Sequence, residues 1–131
     1  MSPHQGPKET VLSRLVQVRL ADATALLKTG KPEQRNAAMY LSGYAVECAL
    51  KSRLCRQIGK ERLPPAYHRH DLRWLAERAG ARQWARERRE ELSKLCNVWG
   101  VGLRYELRPW DSAEVRRFLG KTRELSRWVL K

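Results

Sequence analysis

Apolar residues recur every three or four positions along most of the chain, which is the spacing of a helix with one buried face. The first stretch of this kind covers residues 10–28 and the second covers residues 33–58. Gly59 follows the second stretch directly, where a glycine commonly ends a helix. The segment from there to His70 contains two adjacent prolines and is predicted to be a loop.

Three further helices are predicted after this loop. Asp71 can cap a short helix over residues 72–79, and a longer one is expected over residues 81–98. Asp111 and Glu114 have the spacing of a capping box and mark the start of the last helix. The residues expected to face inward in the last two helices are Trp84, Ala85, Leu92, Leu95, Cys96, Val115, Phe118, Leu119, Thr122, Leu125 and Val129.

No useful length of chain alternates between apolar and polar residues, so no strand is predicted. Most connections between the predicted helices are short, which favours antiparallel neighbours. The 131 residues suit one domain. The sequence therefore predicts an all-α, antiparallel up-and-down bundle of four to five helices over residues 1–131, with residues 1–9 as a flexible tail.

Composition sets the expected compartment and the class of partner. No segment has the roughly 18 to 20 apolar residues of a membrane span, so we expect a cytoplasmic protein without a membrane partner. Three cysteines without a secretion signal suit free thiols that act as small core residues. The formal net charge of +13 favours contact with polyanions such as nucleic acid.

That charge has two interpretations. The chain has 19 arginines and 8 lysines, so the excess also fits a coding bias on ordinary solvated faces. Two arginine rows share helical faces and could follow a phosphate backbone, as in a nonspecific basic nucleic-acid-binding protein. Glutamates interspersed with them favour a solvated face for each row taken singly. The rows are Arg82, Arg86 and Arg89, and Arg116, Arg123 and Arg127.

Glu47 is the residue that most needs an explanation. It is the only charged residue in residues 36–50, a segment that is apolar or small almost all round and is therefore predicted to be buried. A buried carboxylate needs a cationic partner or a proton. At 100° per residue, Tyr40, Tyr44, Glu47 and Lys51 lie on one narrow face, so Lys51 is the local candidate partner.

Arg104 is the second candidate partner of Glu47. It follows Trp99 and two glycines that would let the backbone leave the fourth helix. A guanidinium matches a carboxylate bidentately, so this pair would hold the segment against the second helix. Such a pair is either a buried clasp or part of a binding site.

The chain resembles the HEPN superfamily (higher eukaryote and prokaryote nucleotide-binding domains), in its small stand-alone prokaryotic branch. The resemblance spans most of the chain and is most specific in the tyrosine-rich helix with Ala-Val-Glu-x-x-Leu-Lys. It implies a helical bundle, a homodimer, and a minimal nucleotidyltransferase partner in toxin–antitoxin or defence systems. The segments that carry it are Ala38 to Lys51, His70-Asp-Leu72, Trp99 and Arg104-Tyr105.

Many members of that superfamily are metal-independent ribonucleases that use an arginine followed four to six residues later by a histidine. No histidine follows Arg104 at that distance. We therefore expect a module that binds nucleotide or RNA phosphate through Arg104, Lys51 and neighbouring basic groups. The alternative is a ribonuclease with a non-standard site, in which Arg104 stabilises phosphorane charge and Tyr105, Glu47 or His70 replaces the histidine.

The remaining candidates are histidines and tryptophans. His70 precedes a helix, where a histidine more often caps or packs than catalyses. His68, His70 and Cys55 match no strong zinc pattern, and we expect neither a metal nor a cofactor. Trp99 and Trp110 flank Arg104 and are the tryptophans that could stack on bases, whereas packing is expected for Trp74, Trp84 and Trp128.

Overall fold

The computed structural model describes residues 5–100, 103 and 110–131, and this part of the chain forms five α-helices and no strand. The prediction of an all-α helical bundle is confirmed. Two 3-10 turns, Pro65–Tyr67 and Ala81–Gln83, lie in the connections. The helices are α1 (Glu9–Lys28), α2 (Glu33–Ile58), α3 (Leu72–Arg78), α4 (Arg86–Val98) and α5 (Ser112–Leu130).

The four longer helices alternate in direction. The start of α1 lies against the end of α2, where the Ser52 hydroxyl donates to Glu9 Oε1 at 2.7 Å. The end of α4 lies against the first half of α2, because the Trp99 indole donates to the Tyr40 carbonyl at 2.9 Å. The start of α4 meets the end of α5, where Arg88 lies over the ring of Trp128. The short helix α3 belongs to the connection between α2 and α4.

Helix α2 is the central element and packs against α1, α3 and α5. From Ala45 to Ser52 every residue is buried, as the apolar and small residues of this helix predict. Gly59 ends α2 with a φ of +69°, a left-handed conformation that favours glycine. The polar side chains in this stretch are therefore held by a helix that is covered on all sides.

The prediction of one continuous helix over residues 81–98 is wrong. Ala81–Gln83 is a 3-10 turn, Trp84 is extended with φ −70° and ψ 153°, and α4 begins only at Arg86. The break lets the Trp84 indole meet the Trp128 ring edge to face, with ring centres 4.9 Å apart. Ala85, which was expected to face inward, is exposed.

The prediction of a flexible tail over residues 1–9 is also wrong for its second half. The Leu63 amide donates to the Pro7 carbonyl at 2.9 Å, and the Glu9 amide donates to the Glu61 carbonyl at 2.8 Å. Arg62 donates from its side chain to the Gly6 carbonyl at 3.1 Å. This segment thus pairs with the loop after α2, a long-range contact that the local sequence of residues 1–9 does not predict.

In the described part of the chain no helix has the length and apolar character needed to cross a membrane.

Candidate functional site

Glu47 and Lys51 form a buried ion pair on α2. The Glu47 side chain is 1% exposed and the Lys51 side chain 9%, and Lys51 Nζ donates to Glu47 Oε2 at 2.9 Å. The pairing predicted from helical spacing is confirmed. Because the ammonium is buried and engaged, Lys51 neutralises the carboxylate within the bundle.

His70 is the second partner of the same carboxylate oxygen. Its Nδ1 lies 2.9 Å from Glu47 Oε2, while its side chain is 65% exposed. His70 directly precedes Asp71, whose side chain accepts from the Trp74 amide and caps α3. The N-cap of α3 is therefore Asp71 and not His70, whose imidazole is largely exposed.

The contact with the carboxylate shows that Nδ1 of the His70 ring carries a hydrogen. A carboxylate only accepts hydrogen bonds, so the Nδ1–H group of His70 donates a hydrogen bond to Glu47 Oε2. The other ring nitrogen, Nε2, then lies on the far side of an exposed ring. Glu47 Oε1 is buried and accepts no hydrogen bond within the described structure. The arrangement is a surface imidazole oriented by a buried carboxylate, whose charge Lys51 balances.

Two depressions meet at His70. One has a volume of about 190 Å³ and is lined by α1, α2 and the loop after α2, including Tyr44, Glu47 and His68. The other has a volume of about 350 Å³ and is lined by Asp71, Arg73, Cys96 and Trp99. A ligand in either depression would reach the His70 ring.

The aromatic residues of the predicted site form a scaffold beside the ion pair. The rings of Tyr40 and Tyr44 lie 6.4 Å apart, and the rings of Tyr40 and Trp99 lie 5.7 Å apart, both stacked. Trp99 is 7% exposed and packs on Gly43, where a Cβ atom would overlap the indole. Trp110 is 8% exposed. Both indoles are therefore largely buried, and packing accounts for most of the surface of each.

Arg104 and Tyr105 lie outside the described residues, and so does the predicted pairing of Arg104 with Glu47. Within the described part, Glu47 takes its partners from its own helix and from the residue before α3. The arginine row of α4 is broken, because Arg82 lies in the 3-10 turn and Arg86 pairs with Glu90 at 2.9 Å. Arg116 and Arg127 are exposed on α5.

Sequence reasoning missed Arg73, the arginine that lines the larger depression beside His70. Its guanidinium donates to Asn97 Oδ1 at 2.9 Å and so bridges α3 and α4. The only sequence signal was the density of arginines around Trp74, which alone does not tell a binding group from a solvated one. Arg73 and His70 thus place a guanidinium and an imidazole on one depression.

The described residues contain no group of three or more His, Cys, Asp or Glu side chains placed to hold a metal ion. His68 Nε2 lies 3.1 Å from the Leu63 carbonyl, and Cys55 is buried in a small cluster with Leu12 and Leu63. All three cysteines are free thiols. Burial raises the pKa of the Cys48 thiol to about 12, and the negative charge of Glu47 adds to this.

We expect this thiol to make the protein less stable at alkaline pH. An unfolded thiol ionises near its ordinary pKa of 9.0, whereas folded Cys48 stays protonated up to about pH 12. The contribution of this thiol to the free energy of unfolding is fully present below pH 9, and above pH 9 it falls by about 1.4 kcal/mol per pH unit. Urea unfolding from pH 8 to pH 11 should show a shallower loss for Cys48→Ala than for the wild type. Equal slopes in the two proteins would contradict the raised pKa.

No protein-family model matches the chain, and neither a characterised protein nor a solved structure is significantly similar to it. The resemblance to the HEPN superfamily therefore stays a prediction based on the residues that carry it.

Proposed function

We propose that the chain is a HEPN-like helical module that binds the phosphate of a nucleotide or RNA at His70. The observation that carries the proposal is the exposed His70 imidazole held by the buried pair of Glu47 and Lys51. All three residues belong to the segments in which the resemblance lies. A surface histidine anchored by a buried ion pair is a costly arrangement for a solvated side chain, and a ligand site explains it.

Arg73 is the group in the larger depression that favours an anionic ligand, and Asp71 is the carboxylate that opposes it. Lys51 balances Glu47, so the pair contributes no net charge beside the imidazole. The larger depression adds the guanidinium of Arg73, which keeps donors beyond the one that binds Asn97. Asp71 lines the same depression, with Oδ1 accepting from the Trp74 amide. A phosphate can bind Arg73 and the protonated form of His70 together by charge-assisted hydrogen bonds, the latter from Nε2–H because Nδ1–H is bound to Glu47.

The partner part of the proposal is that the module is a homodimer that acts with a minimal nucleotidyltransferase. It rests on the resemblance alone. Where the adjacent gene encodes such an enzyme, co-expression should give a complex of fixed stoichiometry in size-exclusion chromatography with light scattering. If the chain is a monomer and the adjacent gene encodes an unrelated protein, the partner part of the proposal is contradicted. Phosphate binding at His70 is tested separately.

Binding should be measured with a labelled single-stranded RNA and with ATP, by fluorescence anisotropy at low salt and again at physiological salt. We expect His70→Ala and Arg73→Gln each to weaken binding by about tenfold, since each removes a donor to phosphate. Arg116→Gln on α5 is the matched control, because it removes one exposed positive charge far along the chain from this site. Equal losses in all three variants would instead favour a nonspecific basic nucleic-acid binder, whose affinity depends on total charge.

A ribonuclease with a non-standard site is the second candidate, and the orientation of His70 favours it. An imidazole that donates from Nδ1 to a carboxylate can take a proton at Nε2, as a general base does. Arg104 would stabilise the phosphorane charge in this reaction. RNA cleavage that is lost in both His70→Ala and Arg104→Ala would support this candidate. An intact dimer that leaves RNA uncut would exclude it.

A further inference from the structure

A second group of arginines lies close to His70 along the chain. The guanidinium carbons of Arg69 and Arg78 lie over the ring of Trp74, at 4.2 Å and 4.8 Å from its centre. The ring of Tyr67 lies 5.8 Å from that of Trp74. We call these four residues the Trp74 surface. It joins the loop that carries His70 to the end of α3.

Trp128 also carries two guanidinium groups, but its Arg53 and Arg88 are half-buried, whereas Arg69 and Arg78 on Trp74 are exposed. The contact restrains two side chains that would otherwise lose much rotamer freedom on binding a ligand. A guanidinium stacked on a ring still offers N–H donors along its edge, in the fork that matches phosphate oxygens. Arg69 also lies 3.9 Å from Asp71 Oδ2, a distance too long for a strong hydrogen bond.

Arg78 follows Glu77, but no ion pair of Arg78 with a carboxylate occurs in the described structure. Its guanidinium is exposed and lies over the electron-rich face of Trp74. Arg73, on the same short helix, lines the depression at His70. The donors at His70 and those of the Trp74 surface thus lie on one short helix and the residues just before it.

From this placement we infer that the ligand of the His70 site is a single RNA strand, with further phosphates bound by Arg69 and Arg78. The inference rests on the proposed function and specifies its ligand, since a mononucleotide at His70 would leave the Trp74 surface unused. Helix α3 has seven residues and is about 10 Å long. That length suits a few successive phosphates of one strand better than both strands of a duplex across a groove.

The test compares the double variant Arg69→Gln/Arg78→Gln with the matched control Arg116→Gln/Arg127→Gln, which removes two exposed arginines from α5. The probe is a labelled single-stranded RNA of about twelve nucleotides. We expect the first pair to weaken binding by about tenfold or more and to reduce the slope of log affinity against log salt by about 1.4, or 0.7 per phosphate lost. The control pair should change affinity less than about threefold. ATP binding should be the same in the first pair and the wild type.

Several results would overturn the inference. One is an equal loss of RNA affinity in both pairs, and another is duplex RNA or a poly-glutamate peptide that binds as well as the single strand. If His70→Ala weakens RNA binding and the Arg69/Arg78 pair does not, this inference fails while the proposed function stands. If the wild type binds no RNA at low salt, both fail. Should the glutamine pair not fold, Arg69→Gln and Arg78→Gln are measured singly, and unchanged RNA affinity in both would overturn the inference as well.

Discussion

Lys51→Met is expected to lower the free energy of unfolding by about 3–5 kcal/mol, because it leaves the buried carboxylate of Glu47 without its cation. Glu47→Gln should be costly for the converse reason, since the Lys51 ammonium would then be buried without a counter-charge. The double variant Glu47→Gln/Lys51→Met has neither charge and should recover most of the loss, with His70 still able to donate to the glutamine carbonyl. Urea unfolding followed by circular dichroism gives the four free energies of this cycle.

The chain provides a matched control in Arg86 and Glu90, which have the same helical spacing and the same 2.9 Å contact. Their side chains are 85% and 56% exposed, so Arg86→Met should change stability by less than about 0.5 kcal/mol. A similarly small loss for Lys51→Met would mean that Glu47 is solvated. That result would contradict the description of Glu47 and Lys51 as a buried ion pair, on which the site at His70 depends.

Trp99→Ala is expected to cost about 3–5 kcal/mol, the usual range for removing a buried tryptophan. The indole covers Gly43, stacks on the ring of Tyr40 and donates to its carbonyl. Gly43→Ala should also destabilise the protein, by about 1–3 kcal/mol, because the new methyl group displaces the indole. Thermal and urea unfolding of both variants would measure these effects.

The double variant separates the steric clash from the helical preference of alanine. Once Trp99 is alanine, Gly43→Ala should become neutral or stabilising by up to about 1 kcal/mol. Gly120→Ala on α5 is the control, since nothing lies within 4 Å of its added Cβ atom, and it should stabilise the wild type in the same way. A destabilising Gly43→Ala in the Trp99→Ala background would show that packing against the indole is not the cause.

These two effects act on the two sides of the candidate site. The ion pair fixes His70 from within the bundle, and Trp99 lines the depression of about 350 Å³ that also includes His70 and Arg73. A variant that weakens ligand binding through lost stability should therefore also lower the unfolding midpoint. His70→Ala removes a side chain that is 65% exposed, so it should weaken binding with little loss of stability.

Amphipathic periodicity predicted most of the helices, because an apolar face must be buried whatever covers it. The periodicity of α1, α2 and α5 gave their bounds to within a few residues, and Asp71 and Asp111 cap α3 and α5 as their positions predicted. The partner of Glu47 on its own helix was predictable for the same local reason. Residues four apart on a helix lie side by side.

Long-range geometry decided the rest. The sequence does not show that residues 6–9 pair with the loop after α2, that α4 starts only at Arg86, or that Trp99 packs on Gly43. Nor does it place His70, 23 positions from Glu47, on the same carboxylate oxygen. Local sequence determines where a helix can form and which face it buries. Which distant side chains meet on that face depends on how the helices pack, and only the tertiary structure contains that information.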